Sequence, residues 1–160
     1  MPNSPYYYLI QRYFPPEQWP AADCITMAEC PSQDPIQVVD QGQIDCGVGG
    51  VAARAWGLFG ILDACWDPAL KPTSPFTQEQ WAQVLDPNVN TWMASVIWSR
   101  SGWGVWTTCA DCQVCDVVGG TIPHPEGPVV EAPRGVSWLP FALLGAAFVG
   151  LVVADGRRGR

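Results

Sequence analysis

LDPNVNTWMASVIWSRSGWGVWTTC, residues 85–109, carries the strongest helical pattern in the chain. Asp86 suits an N-cap, and Pro87 suits a first turn, where its missing N–H has no intrahelical partner to lose. Val89, Trp92, Met93, Val96 and Ile97 recur at the three- and four-residue spacing of one buried face. Asn90, Thr91, Ser95 and Ser99 fall mostly between them, and Ser101-Gly102 ends the run. These positions predict a packed core helix, followed by a Gly/Trp-rich turn and a cysteine.

At 160 residues the chain can support one domain with its own core. Nine Trp supply large buried or stacking surfaces. Acidic residues outnumber basic ones fifteen to eight, and Arg157, Arg158 and Arg160 crowd the last four positions. The remainder is therefore more acidic still, which argues against nucleic acid as a partner, since phosphate binding needs basic clusters. Seven cysteines (Cys24, Cys30, Cys46, Cys65, Cys109, Cys112 and Cys115) point to disulfides and an oxidising compartment. Their odd number leaves at least one thiol free or joined to another chain. Cys24 or Cys30 is expected to bridge to the C-x-x-C-x-x-C group at 109–115, and Cys46 to pair with Cys65. That group beside the lone His124 also has the letters of a zinc or cluster site. Disulfides are the preferred reading, so no metal and no cofactor are expected.

Residues 1–16 form an aromatic N-terminal segment without the pattern of a secretory signal, and Tyr6, Tyr7 and Tyr8 are expected to pack. A short helix is expected over 17–29, with Trp19, Ala22, Ile25, Met27 and Ala28 inward and Pro20 in its first turn. Residues 36–50 read as irregular, with a short strand at Val38-Val39 and a glycine turn over 46–50. Without a following Lys-Ser/Thr, that turn is not a phosphate loop. A small helix introduced by Thr77 is expected over 76–84. Residues 116–135 read as a Pro/Gly-rich linker, in which His124 between two prolines makes a poor base. Residues 136–154 are nineteen positions without a charge, close to the length that crosses ~30 Å of hydrocarbon. With Trp138 at one end and the basic tail 155–160 at the other, they predict a transmembrane helix with its C-terminus inside and the folded domain outside.

Two segments also carry a family resemblance. In 85–109 the letters L-D-P-x-x-N…I-W-x-R-S-G-W-x-x-W-x-x-C resemble the C-terminal part of the lysozyme-like domain of lytic transglycosylases, in their phage and actinobacterial style. Upstream, residues 54–62, RAWGLFGIL, look like the family's S-Y-G-L-F-Q-I-N turn. The resemblance spans about residues 19–109. It implies a mainly α, lysozyme-like (α+β), disulfide-containing domain over 17–115, here followed by the transmembrane helix. It also implies a catalytic glutamate at the end of the first helix, in the pattern I-A-x-C-E-S. Residues 25–32 read ITMAECPS, so an ungapped match puts Pro31 in that place. The family's Asp/Asn-Pro lies five residues after its glutamate. Pro35 lies six after Glu29 and four after Pro31, so one single-residue slip fits either alignment. Glu29 is the titratable candidate, against the plain alternative of a surface glutamate at a helix end. Glycosidic cleavage needs a carboxyl still protonated near neutral pH, and burial in an apolar cleft provides that.

The same resemblance makes Trp56, Gly57, Leu58, Phe59, Gly60 and Trp103 the expected substrate-binding residues. The family's substrate-bonding glutamine and asparagine correspond to Gly60 and Leu62, so both polar groups are absent, as in a degenerate or specialised member. The implied function is a membrane-anchored, virion-associated, peptidoglycan-cleaving lytic transglycosylase or muramidase. The alternative is a catalytically inactive lysozyme-fold virion protein that binds cell-wall glycan or serves structure. A third is a small disulfide- or metal-stapled membrane protein of unrelated fold. Expected partners are peptidoglycan, a lipid bilayer of virion or host envelope through 136–154, and other virion proteins.

Overall fold

Local capping builds the central helix where the sequence places it. In the computed structural model, which describes residues 4–47 and 49–129, α5 (Pro87–Ser101) starts at Asp86. The Asp86 Oδ1 accepts the N–H groups of Asn88 at 2.8 Å and Val89 at 3.1 Å. Gly102, at φ +67°, ends the helix. Burial is not confined to one face: Asn90, Thr91 and Ser95 are as enclosed as Trp92, Met93 and Ile97. The hydroxyls of Thr91 and Ser95 donate back to Pro87 O and Trp92 O, each at 2.7 Å, so they enter the core already bonded.

Two helices pack near it. α1 (Tyr7–Tyr13) sends Leu9, Ile10 and Tyr13 inward, followed by Phe14, so residues 4–16 contribute directly to the core. Tyr6 and Tyr7 are half-buried, and Tyr8 is exposed. α2 (Trp19–Glu29) carries Pro20 in its first turn and buries Ala22, Ile25 and Thr26, while Met27 faces solvent and Ala28 is half-buried. Phe14, Phe59, Trp98, Trp103 and Trp106 join into one aromatic cluster, with ring centroids 5.2–6.4 Å apart.

An antiparallel sheet in the order β1-β2-β3 forms the other side: β1 (Val38–Asp45), β2 (Gly50–Trp56) and β3 (Ile61–Leu62). Val38 lies opposite Trp56, Asp45 opposite Gly50, and Ala55 opposite Leu62, with an irregularity between Asp40 and Gln43. α3 (Asp63–Trp66) follows at once. α4 (Gln78–Trp81) begins at a capping box in which the Thr77 hydroxyl accepts the Gln80 N–H and the Gln80 side chain accepts the Thr77 N–H.

The expectation of a mainly α, lysozyme-like domain is corrected here. Helix makes up 40% and strand 14% of the described residues, and the three-stranded sheet makes the domain mixed. No described helix is long and apolar enough to cross a membrane. Residues 136–154 and the tail 155–160 lie outside the described residues. The strands were understated because β1, VVDQGQID, is exposed along nearly its whole length. A strand with no buried face has no alternation to announce it.

The disulfides are Cys24–Cys112, Cys46–Cys65 and Cys109–Cys115, and Cys30 is a buried free thiol. Cys24 rather than Cys30 is therefore the residue of α2 that reaches the C-terminal cysteine group. The described part of the expected linker is mostly exposed and touches the core at a few points: Ile122 is buried, and Trp103 N–H donates to Val117 O at 3.2 Å. Gly119 lies against the carbonyls of Trp98 and Ser99 with no room for a side chain.

Candidate active-site cleft

A cleft of about 440 Å³ opens between the β1–β2 hairpin and the end of α5, and Glu29 lines it. Glu29 is the last residue of α2, and the loop that follows turns away, leaving Pro31 exposed. Gln37 fixes this helix end to the next turn. Its Nε2 donates to Glu29 O at 2.9 Å, and its carbonyl accepts the Gly57 N–H at 2.9 Å.

The turn from Gly57 to Gly60 is fastened to α5 by Asn90. The Asn90 Oδ1 accepts Phe59 N–H at 3.0 Å, and its Nδ2 donates to Trp56 O at 3.0 Å and Val84 O at 2.9 Å. Gly60, at φ +56°, then lies directly beside the acid, and a Cβ at that position would stand 2.6 Å from Glu29 Oε2. Only glycine leaves the carboxyl this space.

Thr108 approaches from the other side, on the 3-10 turn Thr107–Cys109, and its Oγ1 donates to Glu29 Oε1 at 2.7 Å. Burial pushes the Glu29 carboxyl above the ordinary glutamate range, and the hydroxyl and backbone N–H of Thr108 offset only part of that push. Its place at the C-terminal end of α2 acts in the same direction, because the helix dipole disfavours an anion there. No described cation lies within 4.0 Å of this carboxyl. The cleft therefore favours the protonated acid.

Trp66, Ile61, Leu62, Val105 and Trp106 give the cleft apolar walls, and Trp106 is locked by its indole N–H on Phe59 O at 2.7 Å. Gln41, Ser101 and Thr107 add neutral polar groups, and Asp45 and Lys71 are its remaining charges. The Lys71 ammonium donates to Cys46 O, beside the Cys46–Cys65 bridge.

Of the residues expected from the sequence, the cleft brings together Glu29 and Gly60. Leu58, Phe59 and Trp103 are fully enclosed in the core, where they support the cleft from beneath. Gly57 meets Asn90. The Trp56 indole is engaged by Asp63 Oδ2 at 3.2 Å and lies under Arg54, 4.9 Å away. Thr108, Trp66, Ile61 and Trp106 were missed as site residues. Thr108 stands 79 positions from Glu29, and no local pattern marks it. No group of three or more potential metal ligands occurs among the described residues. Comparisons with family models, characterised proteins and solved structures find no match to this chain.

Proposed function

We propose that this protein cleaves glycosidic bonds of peptidoglycan, with Glu29 as the general acid. The observation that carries the proposal is one carboxyl, half-buried beside an aromatic-walled cleft and pushed toward its protonated form. A sugar ring presents apolar faces that suit Trp66 and Trp106, and hydroxyl and amide groups that suit Gln41, Ser101 and Thr107. Glu29 donates its proton to the glycosidic oxygen as the C1–O bond breaks, and a hydroxyl then bonds the positive C1 while its proton returns to the Glu29 carboxylate. Capture by water gives hydrolysis. Capture by the sugar's own 6-hydroxyl gives a 1,6-anhydro product, as the transglycosylase resemblance of residues 54–62 and 85–109 implies.

The bare Gly60 and apolar Leu62 favour a second reading, glycan binding without cleavage, because both family positions lack their polar side chains. Purified sacculi separate the two. The full chain should clear them and release reducing or anhydro ends, and Glu29→Gln should lose about 10²–10⁴-fold of that activity. A folded parent that binds sacculi but releases nothing leaves only the binding reading. Equal release by parent and variant would remove Glu29 from the role of acid.

A further inference from the structure

The two oxygens of the Glu29 carboxyl have different surroundings. Oε1 faces the Thr108 hydroxyl at 2.7 Å, and Oε2 faces the bare Cα of Gly60. We propose that Thr108 is a positioning residue that holds Oε1 as an acceptor and so places the transferable proton on Oε2. The proposal rests on the assignment of Glu29 as the acid.

A threonine hydroxyl has one proton to donate. Among the described residues its hydrogen-bond acceptor is Glu29 Oε1 alone. In a neutral carboxyl the oxygen that accepts such a bond is the carbonyl oxygen, so the acid's own proton sits on the other one. Oε2 packs against the bare backbone of Gly60, in the place a side chain would take, and Gly60 offers it no side-chain hydrogen bond. With Oε1 occupied by the Thr108 hydroxyl, Oε2 is left to carry the transferable proton. Gly60, where the resembled family carries glutamine, leaves room for the Glu29 carboxyl itself.

The architecture keeps Thr108 in that place. Its turn is closed by Cys109–Cys115, and Cys112 is bonded to Cys24 of α2, the helix that ends at Glu29. Acid and donor thus stand on two covalently tied elements. The other ionisable side chains lining the cleft are Asp45 on β1 and Lys71 beyond α3, while α5 and the two 3-10 turns after it line it with Ile97, Ser101, Val105, Trp106 and Thr107, none of them titrating. Thr108 is therefore the polar neighbour that distinguishes one oxygen of Glu29 from the other.

The test uses the full chain with ¹³C-labelled glutamate and follows the Glu29 Cδ signal, assigned by its loss in Glu29→Gln. Thr108→Val keeps the shape and removes the donor. Its Glu29 midpoint should rise by about one pH unit, a tenfold change in the ionisation constant, as expected for losing a hydrogen bond to a charged group. Thr108→Ser should restore the parent midpoint. In the unsubstituted chain, the Thr108 methyl should titrate together with Glu29, a readout that needs no variant to fold. With sacculi, the alkaline limb of the activity profile should move up in Thr108→Val, because the acid stays protonated to higher pH. An unchanged midpoint in Thr108→Val, or no restoration by Thr108→Ser, overturns the proposal. If the parent cleaves no sacculi while the midpoint still moves, the glycosidase assignment fails and the positioning contact stands.

Discussion

Asn90→Ala should unfasten the turn that places Gly60 beside Glu29. The side chain is fully buried and makes three bonds: one accepted from Phe59 N–H and two donated, to Trp56 O and Val84 O. Truncation leaves one N–H and two carbonyls unpaired in the core. The three lost bonds cost about 3 kcal/mol at roughly 1 kcal/mol each, and the desolvated groups raise this to about 5 kcal/mol if no water replaces the amide. Against a total of about 5–15 kcal/mol for a domain, that is a large fraction. Urea unfolding of the full chain should show a lower midpoint at nearly constant slope. Asn90→Asp sharpens the test. It keeps the acceptor for Phe59 N–H but turns the donor into a second acceptor facing two carbonyls. A protonated aspartate can still donate to one of them, so this variant should lose more stability at pH 7 than at pH 4. A loss below about 1 kcal/mol in Asn90→Ala, with sacculus clearing unchanged, would refute the claim that Asn90 holds this turn.

Glu29 gives a pH signature with a definite sign. Its folded-state pKa is raised, so the folded chain holds its proton where the unfolded chain, titrating near about 4.3, has released it. Stability should fall as pH rises from that value through the folded pKa, and Glu29→Gln should flatten this slope; parallel slopes in melting curves from pH 4 to pH 8 would contradict it. Gly60→Ala forces a side chain into φ +56°, at about 1–2 kcal/mol, and sets a Cβ 2.6 Å from Oε2. It should cost sacculus clearing more than tenfold while the protein stays folded by circular dichroism, and full retained activity would show that Oε2 does not need the space. Paired Cys24→Ser and Cys112→Ser opens a cross-link of sequence separation 88, worth about 4–5 kcal/mol in chain entropy. A urea midpoint unmoved by that change would mean that the Cys109–Cys115 bridge and the core already hold the segment.

Local chemistry was legible wherever partners lie within about four residues. Asp86 before Pro87, and Thr77 before Gln80, announce their helices because a cap bonds its own first turn. The strands were not legible in this way, because β1 gains its order from pairing with β2 rather than from a buried face. Asn90 looked like a residue of the polar face of α5, yet it is enclosed, because the turn on its far side presents backbone groups that only an amide could satisfy at once. Pro31 and Glu29 competed for one place in the linear pattern. The end of α2 separates them, since Glu29 lines the cleft and Pro31 faces solvent.

By itself, the sequence determined the caps of α4 and α5, the place of α5 in the core, the supply of cysteines and the presence of an acid at the end of α2. Only the tertiary structure decided that the acid is half-buried at a cleft, that Cys24 reaches Cys112, and that Thr108 bonds Glu29 across 79 residues. Caps and periodicity depend on neighbours along the chain. Burial, and the proton affinity that follows from it, depends on which distant residues exclude water from the carboxyl.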